Sequence, residues 1–168
     1  TVSMSGGTLD ADESMTLSGA LTQSGNITID VAEDKTLTYT GAALSLGANT
    51  LTMSGDGTLS NTNALDLNNA SSTLLLNSIT VAKVSTSLAS LGLVVVANST
   101  VSSLTVAHTT PVSIVSTKTL SGAITVSGGS VKLGAAGTLA STVSMSGGTL
   151  DADESMTVSG TLSHTADI

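Results

Sequence analysis

The chain has no cysteine, phenylalanine, tryptophan or arginine, a single proline, and one aromatic residue, Tyr39. Without cysteine there is no disulfide framework and no thiolate site, which fits a protein that never meets a thiol-handling system. Without large aromatic side chains it cannot fill the broad two-sheet interior of a conventional β-sandwich. Four lysines (Lys35, Lys83, Lys118 and Lys132) against twelve acids leave a net charge of −8. That balance argues against recognition of phosphates, and so against nucleic acid or an anionic membrane surface as a partner. The longest uninterrupted apolar run, residues 91–97, is far below the ~20 residues that span a bilayer, so no membrane insertion is expected in this stretch.

What the chain does have is serine and threonine, 28 of each, with 17 glycines, in 168 residues. Such a composition hints at disorder, but 40% of the residues are apolar and only 10% charged, the reverse of the disordered balance. Leu, Val, Ile, Ala, Met and Thr must therefore build a thin, layered interior.

The dominant feature is a long internal repeat. Residues 1–19 (TVSMSGGTLDADESMTLSG) recur at 142–160 with one change, Leu17 becoming Val158. The match continues more loosely, Leu21 with Leu162 and Ile27 with Ile168. Residues 1–141 thus form one unit and 142–168 the start of the next, continuous with the first. No signal peptide is visible, residue 1 lying already inside the repeat. A period of 141 is too long for one structural rung and implies a higher-order repeat of smaller ones.

Short segments of period-two alternation fill the unit, bounded by Gly, Ser, Asn or Asp. They include residues 26–30, 35–39, 50–53, 64–67, 123–126 and 130–133. No window has helical spacing, and abundant Ser and Thr compete with helix for local backbone bonds. The starts at Asn26, Asn49 and Ser72 are equally spaced. These observations predict an all-β fold, a right-handed parallel β-helix or β-solenoid with rungs of about 20–25 residues, about six rungs per unit. Residues 91–118 fit this register badly and are left unassigned. A string of immunoglobulin-like sandwiches is the rival, for which the repeat unit is long and the tryptophan landmark missing.

Residues 31–38 (VAEDKTLT), 44–52 (LSLGANTLT) and 55–60 (GDGTLS) resemble the Gly/Ser/Thr-rich passenger repeats of bacterial autotransporters and filamentous-haemagglutinin-type adhesins. The resemblance is one of texture over most of the chain. It implies an extracellular β-solenoid acting as stalk, adhesin or matrix fibre, and it carries over no functional residue.

Candidate sites are few. Asp10, Asp12 and Glu13, repeated as Asp151, Asp153 and Glu154, place hard oxygen ligands close enough for Ca²⁺. Yet the chain has neither an EF-hand loop nor a calcium β-roll nonapeptide, and a solvated acidic turn explains the cluster equally well. Asp30, Glu33 and Asp34 invite the same two explanations. His108, before Thr109-Thr110-Pro111, has no nearby acid or cysteine and is expected to be an ordinary turn residue; His164 stands in the place of Gln23, so the repeat does not require it. The sequons at Asn26, Asn69 and Asn98 occur at chance frequency. Thr36, Thr38 and Thr40, with Thr50 and Thr52, suggest an ice-binding threonine face, which requires the pairs to recur on one face of every rung. The run 91–97 breaks alternation; a fully buried strand is the favoured explanation, and an exposed ridge for filament packing the alternative.

No catalytic or cofactor-binding residue is expected. The sequence favours a structural extracellular or cell-surface protein, a fibre, stalk or sheath self-associating end-to-end, with lateral packing as a further mode. An adhesin binding a surface or glycan through its lateral face comes second. An ice-binding or polysaccharide-cleaving β-helix comes third.

Overall fold

A computed structural model describes residues 1–86, 88, 90, 92–108, 111–128, 130–133, 137–151 and 157–165. Every element among them is a strand, and every strand pairing is parallel. The chain winds through about seven turns, each laying one strand on each of three faces. The first turn holds β1 (Val2–Met4), β2 (Thr8–Ala11) and β3 (Met15–Leu17). The second holds β4 (Leu21–Gln23), β5 (Ile27–Val31) and β6 (Thr36–Tyr39), and the third β7 (Leu44–Ser45), β8 (Thr50–Ser54) and β9 (Thr58–Asn61). β10 (Leu65–Leu67) and β11 (Thr73–Asn77) follow.

From there the corner between the third face and the next turn's first face tightens. One long bent strand serves both faces: β12 (Thr80–Thr86), β14 (Ser99–Val106), β16 (Thr119–Val126) and β18 (Thr138–Met145). Between them β13 (Gly92–Val95), β15 (Pro111–Ile114), β17 (Ser130–Leu133) and β19 (Thr149–Asp151) continue the second face. β20 (Thr157–Val158) and β21 (Leu162–His164) end the stack. The unassigned stretch 91–118 therefore holds β13, β14 and β15 in regular positions.

The second face gives the count of turns. Thr8 lies opposite Thr28, Thr28 opposite Thr52, Thr52 opposite Leu75, Leu75 opposite Val94, Val94 opposite Ser113, Ser113 opposite Lys132 and Lys132 opposite Asp151. The residue numbers therefore advance by 20, 24 and 23, then by 19 four times. The equal spacing of Asn26, Asn49 and Ser72 belongs to the early turns. The later ones lose their corner loop, so the long repeat holds about seven turns instead of six.

Side-chain alternation puts apolar strips from each face into the interior. On the second face Ile27, Leu51, Leu74, Leu93, Val112 and Val131 stack in register, all buried. Leu37, Leu59, Val81 and Val101 do so on the third, and Leu44, Leu65, Val84, Leu104, Ile124 and Val143 on the first. Each such side chain contributes roughly 1.5–3 kcal/mol relative to exposure. A single turn cannot cover its own strip, so these contributions exist only because turns stack.

Tyr39 serves a local purpose. β1 and β4 form a two-stranded sheet of their own, and the ladder on that face resumes at β7. At the break the buried Tyr39 hydroxyl accepts the Leu21 amide hydrogen (3.1 Å) and donates to the Ala42 carbonyl (2.7 Å). The one aromatic residue thus bridges a backbone amide and a backbone carbonyl at this break.

Candidate functional site

Of the candidate acidic ligands, Asp10 lies beside Asp12 and Asp30, and Glu13 turns away from them. Asp10 projects outward from β2 in register with Asp30 of β5, and the Asp30 carboxylate accepts the Ser54 hydroxyl of β8. Asp12, then desolvation, then Asp30 push the Asp10 carboxyl above its ordinary value. Glu13 turns to the next rung, where Lys35 Nζ lies 3.1 Å away in an exposed ion pair. Glu33 and Asp34 lie on the turn after β5, Asp34 in a left-handed conformation. Among the described residues no three acidic or histidine side chains gather as a metal centre. In the second copy Asp151 sits in register with Lys132; Asp153 and Glu154 lie outside the described residues.

His108 is exposed in a bend after β14. His164 ends β21 in register with Met145, as Gln23 stands in register with Met4 in the first copy. Gln23 Nε2 donates to the Gly25 and Thr50 carbonyls, while Oε1 is buried without a partner.

A shallow furrow of about 340 Å³ runs along the edge of the third face, lined by Asp56, Ser78, Thr80, Asn98, Thr100 and Thr119 among others. Some of its polar groups are engaged in holding turns together. Asp56 accepts the Ser78 hydroxyl, and Asn98 Oδ1 accepts the Thr119 amide at 3.0 Å. Asparagines do this repeatedly: Asn26 Oδ1 takes the Thr50 amide at 2.8 Å, and buried Asn61 exchanges bonds with both the amide and carbonyl of Lys83. Sequence reasoning missed these clamps. The signal available was an Asn just before a strand, as at Asn26 and Asn98.

Threonines form partial ladders. Thr36, Thr58, Thr80 and Thr100 stand in register on the third face, followed by Ser121 and Ala140. Thr8, Thr28 and Thr52 stand on the second, followed by Leu75 and Val94. The pairs 36/38 and 50/52 are therefore on different faces, and each ladder stops part-way.

The run 91–97 is not a fully buried strand. Leu93 and Val95 enter the core, but Val94 is half-buried and Val96 is 37% exposed. Strand alternation forces this outcome, since every second residue must point outward. With Leu75 and Val115 (41% exposed) they make a small apolar patch on the second face. Leu91 itself lies outside the described residues.

The sharpest contrast is between the two copies of the repeated sequence. In the second copy Val143 is fully buried and Met145 only 3% exposed, because β16 lies against β18 with Ile124 opposite Val143 and Val126 opposite Met145. In the first copy the equivalent Val2 and Met4 are only half-buried, as are Leu9 and Leu17, and Met15 is exposed. The contrast is confined to this pair of positions, since Leu150 and Val158, the equivalents of Leu9 and Leu17, are half-buried as well. Among the described residues no helix is long and apolar enough to cross a membrane. Comparison with protein-family models, curated proteins and solved structures finds no match to this chain.

Proposed function

We propose that this chain is a structural segment of an extracellular fibre, stalk or sheath, lengthened by axial stacking of seven-turn units. One observation carries this reading: the sequence repeat and the winding of the solenoid nearly coincide. Seven steps from Thr8 lead to Asp151, two places beyond Thr149, the sequence equivalent of Thr8. An even displacement preserves which side chains face inward. Leu9 and its copy Leu150 therefore both pack against the core, and units can follow one another without breaking the apolar strips.

The role is mechanical. Continuous backbone ladders carry load along the axis, and the sides are chiefly hydroxyl-bearing. An adhesin role through a lateral face ranks second, supported by the polar furrow beside Asp56 and Asn98. Electron microscopy of the native material tests the reading. Filaments with a meridional reflection near ~4.8 Å and an axial period near ~34 Å, seven strand spacings, are expected. Discrete particles without that layer line would overturn it.

A further inference from the structure

We infer, resting on the lateral-face reading, that the furrow beside the third face is a binding site for a neutral linear glycan laid along the solenoid axis. The furrow belongs to the middle of the stack. Asp56 lies between β8 and β9 of the third turn, Ser78 and Thr80 in the fourth, Asn98 and Thr100 in the fifth, and Thr119 and Ser121 in the sixth. Thr80, Thr100 and Ser121 stand in one outward column, each opposite the next. Hydrogen-bonding groups therefore recur at each rung over three strand spacings, about 14 Å. That suits an elongated ligand of a few linked rings better than a compact one.

The lining selects the chemistry. It offers hydroxyls, one amide and one carboxylate, and its single apolar residue, Ile79, is buried. An apolar ligand finds no surface there. An extended peptide needs side-chain pockets or an open strand edge, and β14 is already paired on both sides. The Asp56 carboxylate, with no lysine or histidine in the lining, disfavours phosphates, sulfates and uronic acids. A neutral sugar chain remains, since each ring both donates and accepts hydrogen bonds.

The groups such a chain needs are unspent and held in place. The Thr80, Thr100, Thr119 and Ser121 side chains are half-buried and make no hydrogen bond to the protein among the described residues. Asn98 commits Oδ1 to the Thr119 amide, which fixes the side chain and leaves Nδ2 to donate. Asp56 accepts the Ser78 hydroxyl through one carboxylate oxygen and keeps the other. Asp56 and Ser78 both have φ of 60°, a left-handed conformation of the sort retained at ligand clamps. Donors and acceptors fixed in advance on rigid strands lower the ordering cost of binding.

The test titrates the full chain, by calorimetry, with linear oligosaccharides from disaccharide to hexasaccharide. The neutral members are of β-glucan, mannan and chitin type, and sulfated and uronic-acid chains are run beside them. Affinity for a neutral series should rise with ring number until the furrow is filled, and should resist added salt. Thr80→Val/Thr100→Val keeps the branched shape and removes two hydroxyls that the fold does not use. It should weaken binding about tenfold or more while leaving the thermal midpoint in place. The control Thr105→Val/Thr125→Val removes two exposed hydroxyls from the first face and should bind as the parent does. Binding that survives the furrow variant, or falls equally in the control, would overturn this site and leave the lateral-face reading standing. Preference for the charged chains would overturn the ligand class. A parent that binds no member of the panel would sink the site and the lateral-face reading together, with axial stacking untouched.

Discussion

Asp10 is a residue whose charge works against its own turn. Asp12 beside it, partial desolvation, and Asp30 on the next strand all favour the protonated carboxyl, raising its pKa in the fold. The sign follows from linkage. A carboxyl with a raised folded-state pKa contributes stability that is fully present below its unfolded value and is lost as pH rises through the folded one. Asp10→Asn removes the charge at every pH. The variant should match the parent in thermal denaturation at about pH 3 and melt higher at about pH 7, by a margin that shrinks in high salt. A difference independent of pH, or a lower midpoint at neutral pH, would contradict this account. The acid pattern was visible in sequence, but its meaning was not. Spacing showed that Asp10, Asp12 and Glu13 are close along the chain. It did not show that Asp30 is the lateral neighbour of Asp10 or that Glu13 turns to Lys35, because both facts depend on the register between one whole turn and the next.

At the scale of elements, one of the bent strands, β16, carries a glycine at its corner. The pairing of β14 with β16 shifts between Val101 and Ser103, and Gly122 opposite that shift has φ +118°. A Cβ added there would lie 1.8 Å from the Val101 carbonyl oxygen, a backbone atom that cannot swing away. Gly122→Ala should therefore cost at least ~2 kcal/mol in urea unfolding, combining an unfavourable φ with displacement of the neighbouring turn. Ala123→Ser, exposed at the next position, should stay within about 0.5 kcal/mol and serves as the control. If the two cost the same, the corner is not held by this contact. Strands in the early turns were legible because loops rich in Gly, Asn and Ser punctuate them, as around residues 26–30, 35–39 and 50–53. From Thr80 onward the punctuation fades because one corner has no loop to mark it. Residues 91–118 were unreadable for that reason, and because the apolar run 91–97 hides which of its side chains point inward.

On the scale of the whole molecule, stability should vary along the axis. Each turn touches only the turns on either side, so protection is a nearest-neighbour property and not a single global value. The half-buried Val2, Met4, Leu9 and Leu17 at one end, with Leu150, Val158 and the exposed Leu162 at the other, bracket strips that are fully buried from Leu51 to Val131. Native-state hydrogen exchange should show slow amides in β8, β11, β13 and β15. Amides of β1, β20 and β21 should exchange fastest, with intermediate rates between. Equal protection throughout would mean that the chain opens only as one unit, and fraying at the ends would then not exist.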